Sequence, residues 1–228
     1  MDHAARHEPV EHHPPVEEYL QAIEALSEEG SPVIQARLAE RLGKSAPSVS
    51  EMLDRLEDEG YLRRSGRQIT LTDEGRSVAR SVIRKHRLAE RLLVDVIGLP
   101  WHLVHAEAGR WEHVMSDEVE ARLVDLLGDP GTCPHGNPIP GSANERAAHG
   151  AQVQLADVDP GSTVRFERLT EDVERDGASL RYLGEAGFIP GTSATVTTRG
   201  PDGTLVLDLG GQALALGRDL AQKLYVSA

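Results

Sequence analysis

Glycines cut the first third of the chain into helical pieces too short to be anything but a small, tightly turned unit. Apolar residues Val16, Tyr19, Leu20, Ile23 and Leu26 recur at helical spacing until Gly30. Ile34, Leu38, Ala39 and Leu42 do the same until Gly43. A third run buries Val49, Met52, Leu53 and Leu56 before Gly60, and begins with Ser45 as a good N-cap and Pro47 in its first turn. Two helices joined by a tight turn at Gly43-Lys44 predict a helix-turn-helix. Next, Tyr61 to Arg64, a Ser65-Gly66 turn and Gln68 to Leu71 alternate with period two, which predicts a hairpin wing. Thr72 then caps a long helix with Asp73 and Glu74 in its first turn, running to about Val96. Further helices flank Ser116 and stop at Gly128-Asp129-Pro130.

Beyond Pro130 the chain turns rich in Pro, Gly, Asn and Ala until about Gly161, and strand-like alternation follows (Val164, Phe166; Ala194, Val196; Leu205, Leu207, Leu209), with one helical stretch around Ser179 to Ala186. The expected fold is therefore mainly α with a small SH3-like β-barrel. Its expected parts are a disordered tail over 1–15, a winged-helix domain over 16–72, a helical domain over 73–141, a linker over 142–158 and the barrel over 159–228.

Composition narrows the setting. No apolar run approaches the roughly 20 residues of a membrane span, the polar, His-rich start lacks a secretory signal, and a single Cys133 suits a reducing compartment, so a cytoplasmic protein is expected. The net charge of -13 opposes nucleic-acid binding on average. That average hides a basic segment. Between Val33 and Asp95 stand 13 Lys/Arg against 10 Asp/Glu, leaving about -16 for the rest of the chain.

A recognition helix presents its N-terminal residues to base edges while neighbouring groups hold phosphates. Ser45, Ala46, Pro47, Ser48, Ser50 and Glu51 occupy those positions in the third helix. Hydroxyls serve bases or phosphates, Ala and Pro suit a thymine methyl, and Glu51 repels phosphate but accepts from a cytosine amino group. Arg37, Lys44, Arg55, Arg63, Arg64 and Arg67 are the candidates for phosphate contact. The expected partner is double-stranded operator DNA.

His86 and Glu90 are four residues apart on one helix face, and His105 opens the next helix. Glu112 and His113 follow seven and eight residues later, His113 rotated by about 80° from the His105 direction. Such an arrangement serves two neighbouring metal positions, and imidazoles with carboxylates suit Mn, Fe(II) or Zn. A His and a Glu one turn apart are also an ordinary surface hydrogen-bonding pair. The conjunction carries more. Arg84 to Trp101, His105 to Ala108, Arg110 to Ser116 and Gly136 to Gly141 together closely resemble the diphtheria-toxin-repressor (DtxR) family of metal-dependent transcriptional regulators, which has iron-responsive and manganese-responsive members.

The resemblance implies a homodimer held by the helices after the wing, two metal sites per protomer, palindromic operators and a C-terminal domain of the FeoA type. It implies an ancillary site at His86, Glu90, His105, Glu171 and Glu174, the last more often Gln in relatives. It implies a primary site at Glu18, Gly109, Glu112 and His113, with both sulfur ligands of the iron-type pattern missing: Glu18 stands for a Met, and Gly109 for a Cys or Glu. Gly109 is then a ligand through its carbonyl, with Gln21, Glu107 or water as alternatives. Loss of soft sulfur favours Mn(II), with Fe(II) second. No enzyme activity, organic cofactor or membrane partner is expected. The rivals are a metallohydrolase and a metal-independent winged-helix regulator sensing an organic ligand. His3, His7, His12, His13, His102 and His135 are expected to be non-ligating; Cys133 with His135 reads as a structural turn, or alternatively as a pair for a soft metal.

Overall fold

A computed structural model describes residues 14–145 and 151–227. Most of the tail expected over 1–15, with its four histidines, and residues 146–150 of the expected linker therefore lie outside the described residues. Pro14 and Pro15, assigned above to the tail, are already helical, because proline in a first turn sacrifices no intrahelical bond.

Helix α1 (Pro14–Glu28) precedes the two short helices α2 (Gln35–Leu42) and α3 (Ala46–Asp58). Gly43 ends α2 at φ 61°, a left-handed conformation that a side chain disfavours, and its N–H caps Ala39 and Glu40. Ser45 Oγ accepts from the Ser48 N–H at 3.3 Å and so starts α3. Strands β1 (Leu62–Ser65) and β2 (Gln68–Leu71) pair antiparallel from Leu62↔Leu71 to Ser65↔Gln68, which is the expected wing. Leu62, Ile69 and Leu71 turn inward onto a core built from Tyr19, Leu20, Ile23, Leu38, Leu53 and Leu56.

Helix α4 (Asp73–Arg91) is capped by Thr72, whose hydroxyl accepts from the Gly75 N–H. It does not continue to Val96 as an α-helix. The chain widens into a π-helical turn over Leu92–Ile97, then passes a short 3₁₀ turn (Trp101–Leu103) into α5 (Val104–Trp111) and α6 (Asp117–Leu127). Ser116, whose hydroxyl accepts from the Val119 N–H, separates these last two as expected.

The segment from Gly131 to Ser142 folds back on α4. Thr132 bridges Pro138, and three arginines spaced along one face of α4 hold its carbonyls: Arg91 donates to Thr132 and Cys133, Arg87 to Pro138, and Arg84 to Pro140. A loop with few apolar residues is thereby fixed by hydrogen bonds to charged donors, each stronger than a neutral one.

Strands β3 (Val153–Gln154), β4 (Thr163–Leu169), β5 (Ser193–Arg199), β6 (Leu205–Asp208), β7 (Ala213–Leu216) and β8 (Leu224–Ser227) make one antiparallel sheet in the order β3-β8-β4-β5-β6-β7. This corrects the expected barrel. The sheet curls around Phe166, Phe188, Leu205 and Leu224 but stays open, because its outer strands, two residues in β3 and four in β7, do not pair with each other. Short helices α7 (Glu171–Glu174), α8 (Gly177–Glu185) and α9 (Arg218–Ala221) fill the connections. Trp101 packs against this core and donates through Nε1 to the Pro134 carbonyl at 3.0 Å, so it joins the helical part to the sheet. No helix among the described residues is long and apolar enough to cross a membrane.

Candidate metal centre

One turn of α4 separates His86 from Glu90, so both point to the same side, where His105 at the start of α5 meets them. His86 Nε2 lies 3.1 Å from Glu90 Oε1 and 3.0 Å from His105 Nδ1. His105 Nδ1 is 3.2 Å from Glu90 Oε1 and 3.0 Å from Glu174 Oε2 on α7. The four residues each offer one donor atom within 4.8 Å of the others, and Glu90 is fully buried. Glu174 is steadied on its other oxygen by Asn137, whose Nδ2 donates at 2.5 Å.

Glu171, expected with this group, is not brought into it. Its backbone N–H donates to Glu29 and its carboxylate faces the buried Arg41 at 3.8 Å, where Arg41 also binds Glu29 at 2.6 Å and the exposed Asp172 at 2.8 Å. A guanidinium with three carboxylate partners outcompetes a site already crowded with negative charge. This cluster ties the winged-helix part to the sheet.

The second lobe is a cleft of about 260 Å³ lined by Glu18, Gln21, Gly109, Glu112, His113 and Glu171, among others. Glu112 and His113 follow the last residue of α5. Glu112 contacts His86 Nδ1 with one oxygen and lies 3.2 Å from His113 Nε2 with the other, so it joins the two lobes. Gln21 donates to it at 3.4 Å. Glu18 lines the cleft but its carboxylate sits 3.8 Å from Lys44 and is 41% exposed. Gly109 leaves open space, with no atom within 4 Å of where a Cβ would stand. Glu107 turns away to Arg110 and Trp111.

Two features escape the expectations drawn from the sequence. Glu17, not Glu18, contacts His113, its Oε2 lying 2.6 Å from Nδ1. A signal existed: Glu17 and Gln21 are one turn apart on α1 and face the neighbours His113 and Glu112. Cys133 and His135 are the other feature. The turn expected there does form, with Gly136 donating to the Cys133 carbonyl, yet it carries both side chains against Glu90. Nothing in their spacing shows that contact, which depends on the three α4 arginines.

Electrostatics in both lobes are those of imidazoles bound to carboxylates. Burial opposes charge on His86, but Glu90 and Glu112 outweigh it and hold the ring well above its ordinary pKa. Burial likewise opposes His105, which Glu174 and Glu90 raise to about 9. Hydrogen bonds that the His113 ring donates to Glu112 and Glu17 raise it to about 9. Burial would raise Glu112, yet His113 and His86 pull it to about 2. These carboxylates stay ionised while positive charge faces them. A divalent ion fits the same donors, and the fully buried Glu90 Oε2, which has no hydrogen-bond partner among the described residues, is an atom that such an ion would satisfy.

In the winged helix, Ser45, Ala46, Pro47, Ser48 and Glu51 are exposed and Ser50 half-buried. Arg64 is taken up by Asp54 and Glu57, and Arg55 by Glu59. Arg37, Arg63 and Arg67 form no ion pair among the described residues, which leaves them better placed for phosphates.

The family described as iron dependent repressor, N-terminal DNA binding domain, matches residues 13–68, and iron dependent repressor, metal binding and dimerisation domain, matches residues 72–141. The chain belongs to the iron-dependent repressor family. A FeoA domain matches residues 153–228. As a member of this family the chain is a metal-dependent transcriptional repressor with a winged helix-turn-helix. It is 46% identical over 219 residues to the iron-dependent repressor IdeR of Mycobacterium tuberculosis, covering 92% of this chain and 95% of that one. It is 41% identical to the diphtheria toxin repressor of Corynebacterium diphtheriae over 217 residues, 92% of this chain and 95% of that one. Among solved structures, a manganese-dependent transcriptional repressor in complex with manganese superposes with a TM-score of 0.82 at 32% identity, covering 93% of this chain and 99% of the other.

Proposed function

We propose that this repressor binds palindromic operator DNA as a homodimer when the two lobes hold divalent ions, with Mn(II) as the activating ion. The observation that supports this most is the unbroken series of buried and half-buried polar side chains from one domain to the next. Glu17 and Gln21 on α1 reach His113 and Glu112; Glu112 reaches His86; and His86 leads through His105 and Glu90 to Glu174 on α7.

Divalent ions supply the positive charge that lets these carboxylates converge without protons. His86, Glu90, His105 and Glu174 are the holders in the buried lobe, joined by Glu171 when it leaves Arg41. Glu18, Glu112, His113 and the Gly109 carbonyl are the holders in the cleft. Glu17 orients the His113 ring through Nδ1 and leaves Nε2 for the cleft. Because α1 belongs to the winged helix and packs on α4, fixing its acidic residues fixes the reading helix relative to the dimer axis, and so the half-site spacing.

Dimerisation has support in the surface. Six of the nine large apolar side chains exposed among the described residues fall between Val96 and Leu126, within the segment matched as a dimerisation domain. The cleft donors are all oxygen and nitrogen, which favours Mn(II). Fe(II) is the second reading, favoured by the iron-dependent relatives.

Selection from random duplexes at controlled free Mn(II) or Fe(II) tests the proposal. Retention of a palindrome at lower free Mn(II) than Fe(II) is the expected result. The reverse order moves the assignment to iron, and binding that ignores metal overturns it.

A further inference from the structure

We infer that Lys44 is a phosphate contact held in reserve: in the metal-free chain its ammonium pairs with Glu18, and an ion that claims the Glu18 carboxylate in the cleft releases Lys44 to the DNA backbone. Glu18 is the cleft ligand of the proposed function, on which this inference rests, and gains here a second partner within the DNA-binding unit. Lys44 Nζ lies 3.8 Å from Glu18 Oε2, and the two side chains are 44% and 41% exposed.

The other basic residues of the winged helix behave differently. Arg64 pairs with Asp54 and Glu57, and Arg55 with Glu59, none of which lines the cleft. Arg37, Arg63 and Arg67 form no ion pair among the described residues. Of the six candidate phosphate contacts, Lys44 alone has, among the described residues, an ionic partner that lines the cleft. Occupancy of the cleft therefore alters one of the six and leaves five as they are.

Local structure suits Lys44 to either partner. Gly43 closes α2 in a left-handed turn, the Lys44 N–H donates to the Ala39 carbonyl at 3.1 Å, and Ser45 caps α3 directly afterwards. The Lys44 backbone is thereby fixed while its side chain stays free to change partner. Leu42, two residues earlier, lines the cleft beside Glu18. Tyr19, the neighbour of Glu18, is 3% exposed and shares a hydrogen bond with the Ser48 side chain in the first turn of α3. Cleft and reading helix meet along this short stretch of α1.

Electrostatics make the two partners exclusive. A lysine beside a helix N-terminus faces the positive end of the peptide dipoles, and the first turn of α3 carries no acidic residue to offset it. The Glu18 carboxylate supplies the offset in the free chain, and a phosphate supplies it in the complex. Glu18 left beside Lys44 repels the phosphate that Lys44 attracts. A divalent ion bound by Glu18 removes both obstacles, since it neutralises the carboxylate and draws it from the ammonium. An exposed pair is weak, so the exchange is easy. Linkage runs both ways: DNA that takes Lys44 leaves Glu18 to the ion and raises Mn(II) affinity by the same factor.

The salt dependence of DNA binding by the full chain counts the phosphates held. The probe is a random-sequence duplex, with saturating Mn(II) or with chelator. Lys44→Ala is expected to reduce the slope of log affinity against log salt by about one with Mn(II) and to leave it unchanged in chelator. Glu18→Ala is expected to steepen the chelator slope by about one and to raise metal-free affinity roughly threefold. The double variant is expected to return both to their native values. A Glu18→Ala gain that survives in the double variant reports a general loss of negative charge and overturns the inference, as does a Lys44→Ala loss equal in Mn(II) and chelator. Either result leaves the proposed function standing when native affinity rises with Mn(II). Native affinity that ignores Mn(II) overturns the proposed function, while a Glu18→Ala gain in chelator that vanishes in the double variant still establishes the pair.

Discussion

Every donor in the cleft lobe is oxygen or nitrogen, and Glu18 there is 41% exposed, whereas the buried lobe has a fully enclosed Glu90 and His135 and a thiol beside them. The contrast extends to the two glycines. Gly109 in the cleft has empty space where a side chain would go; Gly136 under the buried lobe has a carbonyl oxygen there. Donors in the cleft are therefore exchangeable in a way that donors in the buried lobe are not. A side chain lost or gained at Gly109 changes the ligand set and leaves the backbone alone. At the buried lobe the ligand set and the packing between α4, the 131–142 loop and the sheet are one construction.

Gly136→Ala tests that contrast most severely. Positive φ and the clash together cost roughly 3 to 5 kcal/mol, read as a lower urea midpoint for the metal-free chain. A midpoint equal to that of the native chain would mean that the loop is not held as described. Glu112→Gln comes next, since this carboxylate touches both lobes through His86 and His113. Losing a charged ligand and the contact between lobes together should weaken Mn(II)-activated DNA binding by roughly 100-fold. Loss of metal binding in only one lobe would separate what the contact joins.

Acid and base act on both lobes in the metal-free chain. His105 in the buried lobe and His113 in the cleft stand at about 9 against an ordinary 6.5, so their stabilisation is complete below pH 6.5 and is lost as pH rises through 9. Glu112, at about 2 against an ordinary 4.5, contributes stability above pH 4.5 that is lost as pH falls toward 2. Thermal unfolding in chelator is expected to peak between pH 4.5 and 6.5 and to fall toward 9. Stability that climbs from pH 6.5 to 9 would show that the imidazoles are not paired as cations.

The winged helix was legible because its signals are local: Gly43, the Ser45 cap and the period-two alternation around Ser65-Gly66 each act within a few residues. His86 and Glu90 were legible for the same reason. Closure of the sheet was not, because it depends on whether two edge strands far apart in sequence are long enough to meet. Nor was the position of Glu171, which is settled by Arg41 more than a hundred residues away, or the inward turn of His135, which is settled by arginines of α4. Resemblance identified the ligand-bearing helices but carried no information on the pair that departs from it.

The cleft supplies the two smallest effects, and they bear on whether α1 takes part in sensing. Glu18→Ala removes an exposed carboxylate that lines the cleft beside Gln21, and metal-dependent DNA affinity should fall about tenfold. Full retention would take Glu18 out of the switch and leave Glu17, already bonded to His113, as the acidic link from α1. Gly109→Ala has the opposite sign and the least size. Gly109 lies inside α5 with open space around it, so a methyl group meets nothing while the unfolded chain loses freedom, and stability should rise by about 0.5 to 1 kcal/mol. The backbone carbonyl is untouched by the change, so Mn(II) activation should persist. A gain in stability accompanied by loss of activation would mean that the glycine is needed for the room it leaves at the cleft, with water as the ligand in that space, and not for its carbonyl.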